Sequence, residues 1–381
     1  MQNNGITLAG IYIHIPFCKQ ACHYCDFHFS TSLNLKEQMI SAICKELELR
    51  RGFLKGQRIQ TIYFGGGSPS ILEAKDIERI LNTVHSFHRC ELQEVTLEAN
   101  PDDLSEEKLQ SWKSLGIDRL SLGIQSFQQN RLSFYNRAHT AEESLLAIDK
   151  ARKEGFEKFN LDLIYGYPDT SHDAWMKDLQ IALELDPGHL SCYALTVEPN
   201  TALGHWAQKG SFKEANDDYV AVEFEILQEY TEKMGYTQYE VSNFAKDGKL
   251  SLHNSNYWKH ISYLGVGPSA FSFDGEDRGS NVRNNAIYIR KLSQNQIAYE
   301  SAFLSREDKI NEYLLTSLRT IWGADLDYLK SKLNFDLLKL KIKLIEKMNE
   351  EGLLLWNEKN VTLTKKGKLL ADSVASALFT D

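Results

Sequence analysis

The stretch Cys18-Lys-Gln-Ala-Cys22-His-Tyr-Cys25 carries three thiols on one short loop, spaced four and then three residues apart. Thiolates are soft ligands for iron-sulfur clusters and for zinc, and a tight loop gathers all three without long-range folding. A closed structural zinc site needs four ligands, and His14, His23 or His28 would supply the fourth. A cubane held by three cysteines instead leaves one iron open to a small molecule bearing an amine and a carboxylate. Lys19, Gln20, His23 and Asp26 are not core residues, which argues against three cysteines meeting here only to fill an interior. Cys44 falls on an apolar helix face, while Cys90 and Cys192 lack a metal-like spacing, so these three read as structural.

Other polar groups interrupt apolar runs. Gly65-Gly66-Gly67-Ser68 ends the run Ile59 to Phe64 in a turn where missing side chains let backbone approach a ligand. Glu98, Gln125 and Asp162 each end or enter a strand-like run, and a buried polar group needs a partner, either a loop to brace or a ligand. Arg137 is either part of that ring or a solvated helix-end charge. In His253-Asn-Ser-Asn-Tyr257-Trp258 an aromatic pair beside a histidine suits a flat macrocycle, since imidazole ligates haem iron and rings stack on porphyrin; the other reading is a core motif.

These residues need a frame. Ile11 to Ile15, Ile59 to Phe64, Glu94 to Glu98, Arg119 to Gln125, Phe159 to Tyr165 and Leu190 to Val197 read as buried parallel strands. Between them Met39, Ile43 and Leu47, and later Trp175, Leu179 and Leu183, recur at helical spacing. Ser105 is the expected cap of a further helix, followed by Glu106 and Glu107 in its first turn. Six strand-helix repeats give an α/β fold, a partial (β/α)6 barrel with functional groups at the carboxyl ends of strands. The polar run Asp274 to Asn285 reads as the exit from the main domain. From Lys309 the pattern is helical and closes with Leu353-Leu354-Leu355, a polar turn, Val361 to Thr364 and a last helix, a mainly helical, winged-helix-like ending. The expected division is a core barrel over 1–205, an extension of it over 206–290 and the C-terminal domain over 291–381.

With 381 residues, 42% apolar and 25% charged, the chain is globular. Its net charge of -9 repels polyanions, and no dense basic recognition helix stands out, so nucleic acid is not an expected partner. Without a long apolar run or a signal-like start in Met1 to Gly10, the expected location is cytoplasmic, with peripheral membrane association left open.

Cys-x3-Cys-x2-Cys after a first strand resembles the signature of the radical S-adenosylmethionine (SAM) superfamily. The wider run Ile11-Tyr-Ile-His-Ile-Pro-Phe-Cys18 through Cys25-Asp-Phe27 resembles the branch that holds oxygen-independent coproporphyrinogen III dehydrogenases and HemW haem chaperones, over nearly the whole chain. The resemblance implies a 4Fe-4S cluster on Cys18, Cys22 and Cys25. It implies SAM contacts from Tyr12, Gly66, Gly67, Ser68, Glu98, Gln125, Arg137 and Asp162. It links His253, Tyr257 and Trp258 to haem. The dehydrogenases carry a further Cys two residues beyond the third cluster Cys, where Phe27 stands here, and a long N-terminal arm, whereas 17 residues precede Cys18. That favours the haem-chaperone group: a protein that binds haem and passes it to an acceptor protein, with SAM cleavage vestigial or regulatory and a flavodoxin-like electron donor possible. The alternatives are the dehydrogenase itself and, less favoured, a zinc-dependent binding module.

Overall fold

The computed structural model describes residues 8–380. Of the Met1 to Gly10 stretch, only Leu8, Ala9 and Gly10 fall within them. The chain divides into two compact units, residues 1–220 with 251–302, and residues 221–250 with 303–381.

The first unit contains strands β1 (Leu8–Ile15), β2 (Arg58–Gly66), β3 (Cys90–Ala99), β4 (Arg119–Gln125), β5 (Lys158–Tyr165) and β6 (His189–Ala194), all paired in parallel in chain order. The strands alternate. On β4, Leu120, Leu122 and Ile124 are wholly buried under the helices, while Ser121, Gly123 and Gln125 face a cavity on the other side. Helices α1 (Lys36–Leu49), α2 (Ala74–Phe87), α3 (Glu106–Ser114), α4 (Gln129–Tyr135), α5 (Ala141–Lys153) and α6 (Asp173–Glu184) cross between strands. Met39, Ile43 and Leu47 of α1 and Trp175, Leu179 and Leu183 of α6 are buried, as their spacing predicts. Ser105 caps α3 by accepting from the Lys108 amide at 3.2 Å.

Beyond β1 the sheet continues through Tyr263–Val266, Phe271–Phe273, Arg278–Asn281 and Tyr299–Ala302. Its strand order is linear, so the barrel is partial. The polar run Asp274 to Asn285 is therefore not the exit that its composition predicts. Arg278–Asn281 pairs on both sides, and Asn281 donates to Glu46 at 2.9 Å and to the Gly267 carbonyl at 2.7 Å, inside the core. Low strand propensity is overridden there by neighbours. The units also cut the chain differently from the expected 1–205, 206–290 and 291–381, because 251–302 returns to the first unit and 221–250 belongs to the second.

In the second unit, helices Arg306–Leu318, Leu326–Lys332 and Leu337–Glu350 precede a hairpin, Leu354–Trp356 with Asn360–Leu363, to which Ala324–Asp325 adds a third strand. That is the winged-helix pattern. Its core joins Ile310, Leu314, Leu329, Ile345, Leu354 and Val361. No helix among the described residues is long and apolar enough to cross a membrane.

Candidate functional site

The cysteine loop follows β1 and is pinned from several directions. The Cys18 amide donates to the Ser30 carbonyl at 3.1 Å, and the Cys25 amide to the Cys22 carbonyl at 3.2 Å. Asn136, the left-handed cap of α4 at φ 58, donates to the Ala21 carbonyl at 2.7 Å and accepts from Gln20 at 2.9 Å. Lys19 pairs with Asp102 at 2.7 Å and with Asp103. The His23 ring bonds the Phe134 carbonyl at 2.7 Å.

The glycine turn is what lets this loop sit where it does. The Gly67 amide donates to the Ile15 carbonyl at 2.9 Å and the Ser68 amide to the Phe17 carbonyl at 2.7 Å. A β-carbon on Gly67 would lie 2.5 Å from the Phe17 oxygen; one on Gly66, at φ +108, would enter the His14 ring. The close approach these glycines permit is thus to the cysteine loop.

Cys18, Cys22 and Cys25 line one cavity of about 630 Å³ at the carboxyl ends of the strands. Gly66, Gly67, Ser68, Glu98, Gln125, Arg137 and Asp162 line the same cavity, so the predicted ring is brought together. Burial pushes the Cys18 thiol up to about 12 and the Cys25 thiol up to about 11. Thiolates at this place therefore require compensating positive charge, as iron supplies. Arg137 gives part of it: Nη1 donates to Cys22 Sγ at 3.3 Å, and Nη2 donates to the Asn100 side-chain oxygen at 2.5 Å and the Gly123 carbonyl at 2.8 Å. Among the described residues its buried Nε has no hydrogen-bond partner.

Glu98 accepts from Tyr63 Oη at 2.7 Å and from the Gly66 amide at 3.2 Å, and burial raises its carboxyl to about 7. Asp162 accepts from Asn160 at 2.6 Å and from Ser121 at 3.3 Å, with its carboxyl also raised by burial. Gln125 takes the left-handed region at φ 68, a costly conformation for a residue with a side chain.

The donor set fits a cubane. Among the described residues no three His, Cys, Asp or Glu side chains converge on one ion position. The three thiols nonetheless share one cavity, an all-sulfur donor set of the kind that holds iron-sulfur clusters. Cys44, Cys90 and Cys192 do not line the cavity, so it offers three cysteines to the four corners of a cubane.

Four predicted residues lie elsewhere. Tyr12 is behind the lining, its ring 6.1 Å from Tyr63 and its hydroxyl donating to His14 Nδ1 at 3.2 Å. His253 is 1% exposed, bonded through Nδ1 to Thr61 at 2.8 Å and through Nε2 to Tyr257 at 2.8 Å. Burial lowers its ring to about 3. Both nitrogens being engaged, it braces the core here and is not presented as a haem ligand. Tyr257 packs edge-on against His253 and Tyr263, and Trp258 is also off the cavity. From that segment it is Asn254 that reaches the lining.

Sequence reasoning missed Asn100, Asn136 and Asn254. Asn100 joins the ring by donating to Ser68 at 2.7 Å and accepting from Arg137. Its place after Glu98 and before Pro101 was a usable signal, as was Asn136 directly after an apolar helix, where Asn tolerates a positive φ.

The sequence profile described as the Radical SAM superfamily matches residues 12–181, and that of the HemN C-terminal domain matches residues 304–370. The solved structure of coproporphyrinogen III oxidase (HemN) from Escherichia coli, described as a radical SAM enzyme, is similar at a TM-score of 0.85 and 22% identity. The likeness covers 98% of this chain and 90% of that one and is one of fold. The profile sets residues 12–181 within the Radical SAM superfamily, and the fold is similar to that of a solved radical SAM enzyme. Heme chaperone HemW of Bacillus subtilis (strain 168) is 35% identical over 97% of this chain and 98% of its own length. Heme chaperone HemW of Lactococcus lactis is 31% identical over 97% of each. The chain belongs to the HemW family.

Proposed function

We propose that this protein is a haem chaperone that carries a 4Fe-4S cluster on Cys18, Cys22 and Cys25, binds SAM at the open iron, and passes haem to an acceptor protein. The observation that carries the reading is the single cavity in which three thiols meet Glu98, Asp162 and Arg137. When bound, cluster and SAM supply one-electron chemistry. The Arg137 guanidinium on the cavity wall offers positive charge to the SAM carboxylate, Glu98 and Asp162 offer negative charge, and Gln125 and Asn100 add amide groups. The Phe27 ring, 71% exposed at the cavity edge, offers apolar surface to a flat macrocycle where the related dehydrogenases have a thiol.

The test is anaerobic reconstitution with iron and sulfide followed by equimolar haem, read by absorption. A distinct haem band is expected in wild type, with the same band in His253→Ala. Formation of protoporphyrinogen from coproporphyrinogen III by the reduced protein would overturn the chaperone reading in favour of the dehydrogenase.

SAM binding is also expected to depend on pH. The Glu98 carboxyl is raised to about 7 in the folded chain, so it holds its proton over a range in which an unfolded chain has lost it. A cationic ammonium beside it favours the carboxylate. Affinity should therefore climb by up to about tenfold per unit as pH rises toward 7 and level off above, with a proton released on binding. Calorimetry in two buffers of different ionisation heat measures that release, which Glu98→Gln should abolish. By the same sign, the Glu98 carboxyl lowers folding stability as pH rises through its folded value.

A further inference from the structure

Arg119 opens β4, beneath the cavity. Ser121, Gly123 and Gln125 line the cavity, and the period of two puts Arg119 on that same lumen side, one step lower. It is 3% exposed, and among the described residues neither of its terminal nitrogens has a hydrogen-bond partner. Its register neighbour on β3 is Thr96, whose buried hydroxyl also lacks a partner. Two residues along β3 stands Glu98, on the diagonal that a long side chain spans. A buried guanidinium without a bonded carboxylate is costly, and in a low-dielectric lumen its field reaches far.

The groups around it are on several elements. Glu98 faces Tyr63 of β2, Asp162 of β5 and Arg119, while Tyr12 of β1 and Tyr257 of the segment 252–258 feel Glu98 in turn. Asp162 faces Arg119, Asn160, Ser121 and Ser191, and the Cys192 thiol lies in its field. His189 of β6 and His253 face Arg119 and are held neutral, chiefly by burial and then by its charge. Arg119 is the cation whose charge acts on both carboxyls, on Glu98 less strongly than burial, the Tyr63 bond, Asp162 and the Gly66 amide.

We propose that Arg119 is a positioning residue for the cavity: from the lumen floor its unbonded positive charge favours the carboxylate forms of Glu98 and Asp162, against the burial that opposes them, toward a cationic ligand that it never touches. This rests on the reading of the cavity as a SAM site.

The experiment is a pH titration of the Glu98 carboxyl by carbon NMR on the full chain, assigned with Glu98→Gln, in wild type, Arg119→Met and Arg119→Lys. It is paired with SAM binding to the cluster-loaded proteins. Arg119→Met should raise the Glu98 midpoint by more than about half a pH unit and weaken SAM binding at pH 7 about two- to threefold, with the loss recovered by about pH 9. Arg119→Lys should keep the wild-type midpoint within about half a unit, since it keeps the charge. An unchanged midpoint in folded Arg119→Met overturns the proposal. Should that variant not fold, the guanidinium carbon of Arg119 in wild type decides: it must shift at the Glu98 midpoint and lose that step in Glu98→Gln, and a flat response overturns the proposal. Absence of SAM binding by loaded wild type at every pH overturns the reading of the cavity instead, and the carboxyl titration then still decides whether Arg119 sets the charge of Glu98.

Discussion

Replacing Cys18, Cys22 and Cys25 together by Ala is expected to take iron after anaerobic reconstitution from about four per chain to none, with loss of the cluster absorption. The thiols are half-buried on a loop held by backbone bonds and by Asn136, Gln20 and Lys19, none of which the substitution touches. Circular dichroism should therefore stay near that of the cluster-free wild type, with a small fall in melting temperature because Cys22→Ala removes the acceptor bonded by Arg137 at 3.3 Å. The triple replacement of Cys44, Cys90 and Cys192 serves as the contrast. Those thiols do not line the cavity, so iron should remain near four per chain even where loss of the buried Cys192 side chain costs stability. Zinc bound by wild type with no iron would overturn the cluster and return the loop to a zinc site.

Gly67→Ala should be more damaging than three cysteine replacements. The new methyl group would meet two backbone oxygens, that of Phe17 at 2.5 Å and that of Ile15 at 2.9 Å. Neither can yield cheaply, because each accepts a bond from the same turn, Phe17 from the Ser68 amide and Ile15 from the Gly67 amide itself. Overpacking against hydrogen-bonded backbone costs about 3 kcal/mol. Since Phe17 immediately precedes Cys18, any movement that relieves the clash displaces the first thiol. The measurement is denaturant unfolding together with iron content, and both should fall. Normal iron content with only a lowered midpoint would show that the loop adapts without moving its thiols.

Much of the barrel was legible because the signal is local. Strands buried on both sides read as apolar runs, and β4 runs from Arg119 to Gln125 as expected. The cysteine spacing is likewise contained in eight residues. What was not legible depends on partners far along the chain. His253 looks like a ligand beside Tyr257 and Trp258 until Thr61, from β2, is seen to take its Nδ1. Tyr12 sits two residues before His14 in a strand that does feed the site, yet its hydroxyl is spent on that histidine. The run Asp274 to Asn285 has the composition of a linker, and only Glu46 of α1 reveals Asn281 as a core residue. The boundaries failed for the same reason, since composition does not record that a chain leaves a domain and comes back.

That return has a consequence for synthesis. β1 is flanked on one side by β2 and on the other by Tyr263–Val266. A chain emerging from the ribosome therefore presents β1 and its cysteine loop with one strand edge bare while most of the remaining sequence is still being made. An unpaired apolar edge is a template for wrong pairing. Nascent chains stopped before Tyr263 should need a holding chaperone that the finished chain does not.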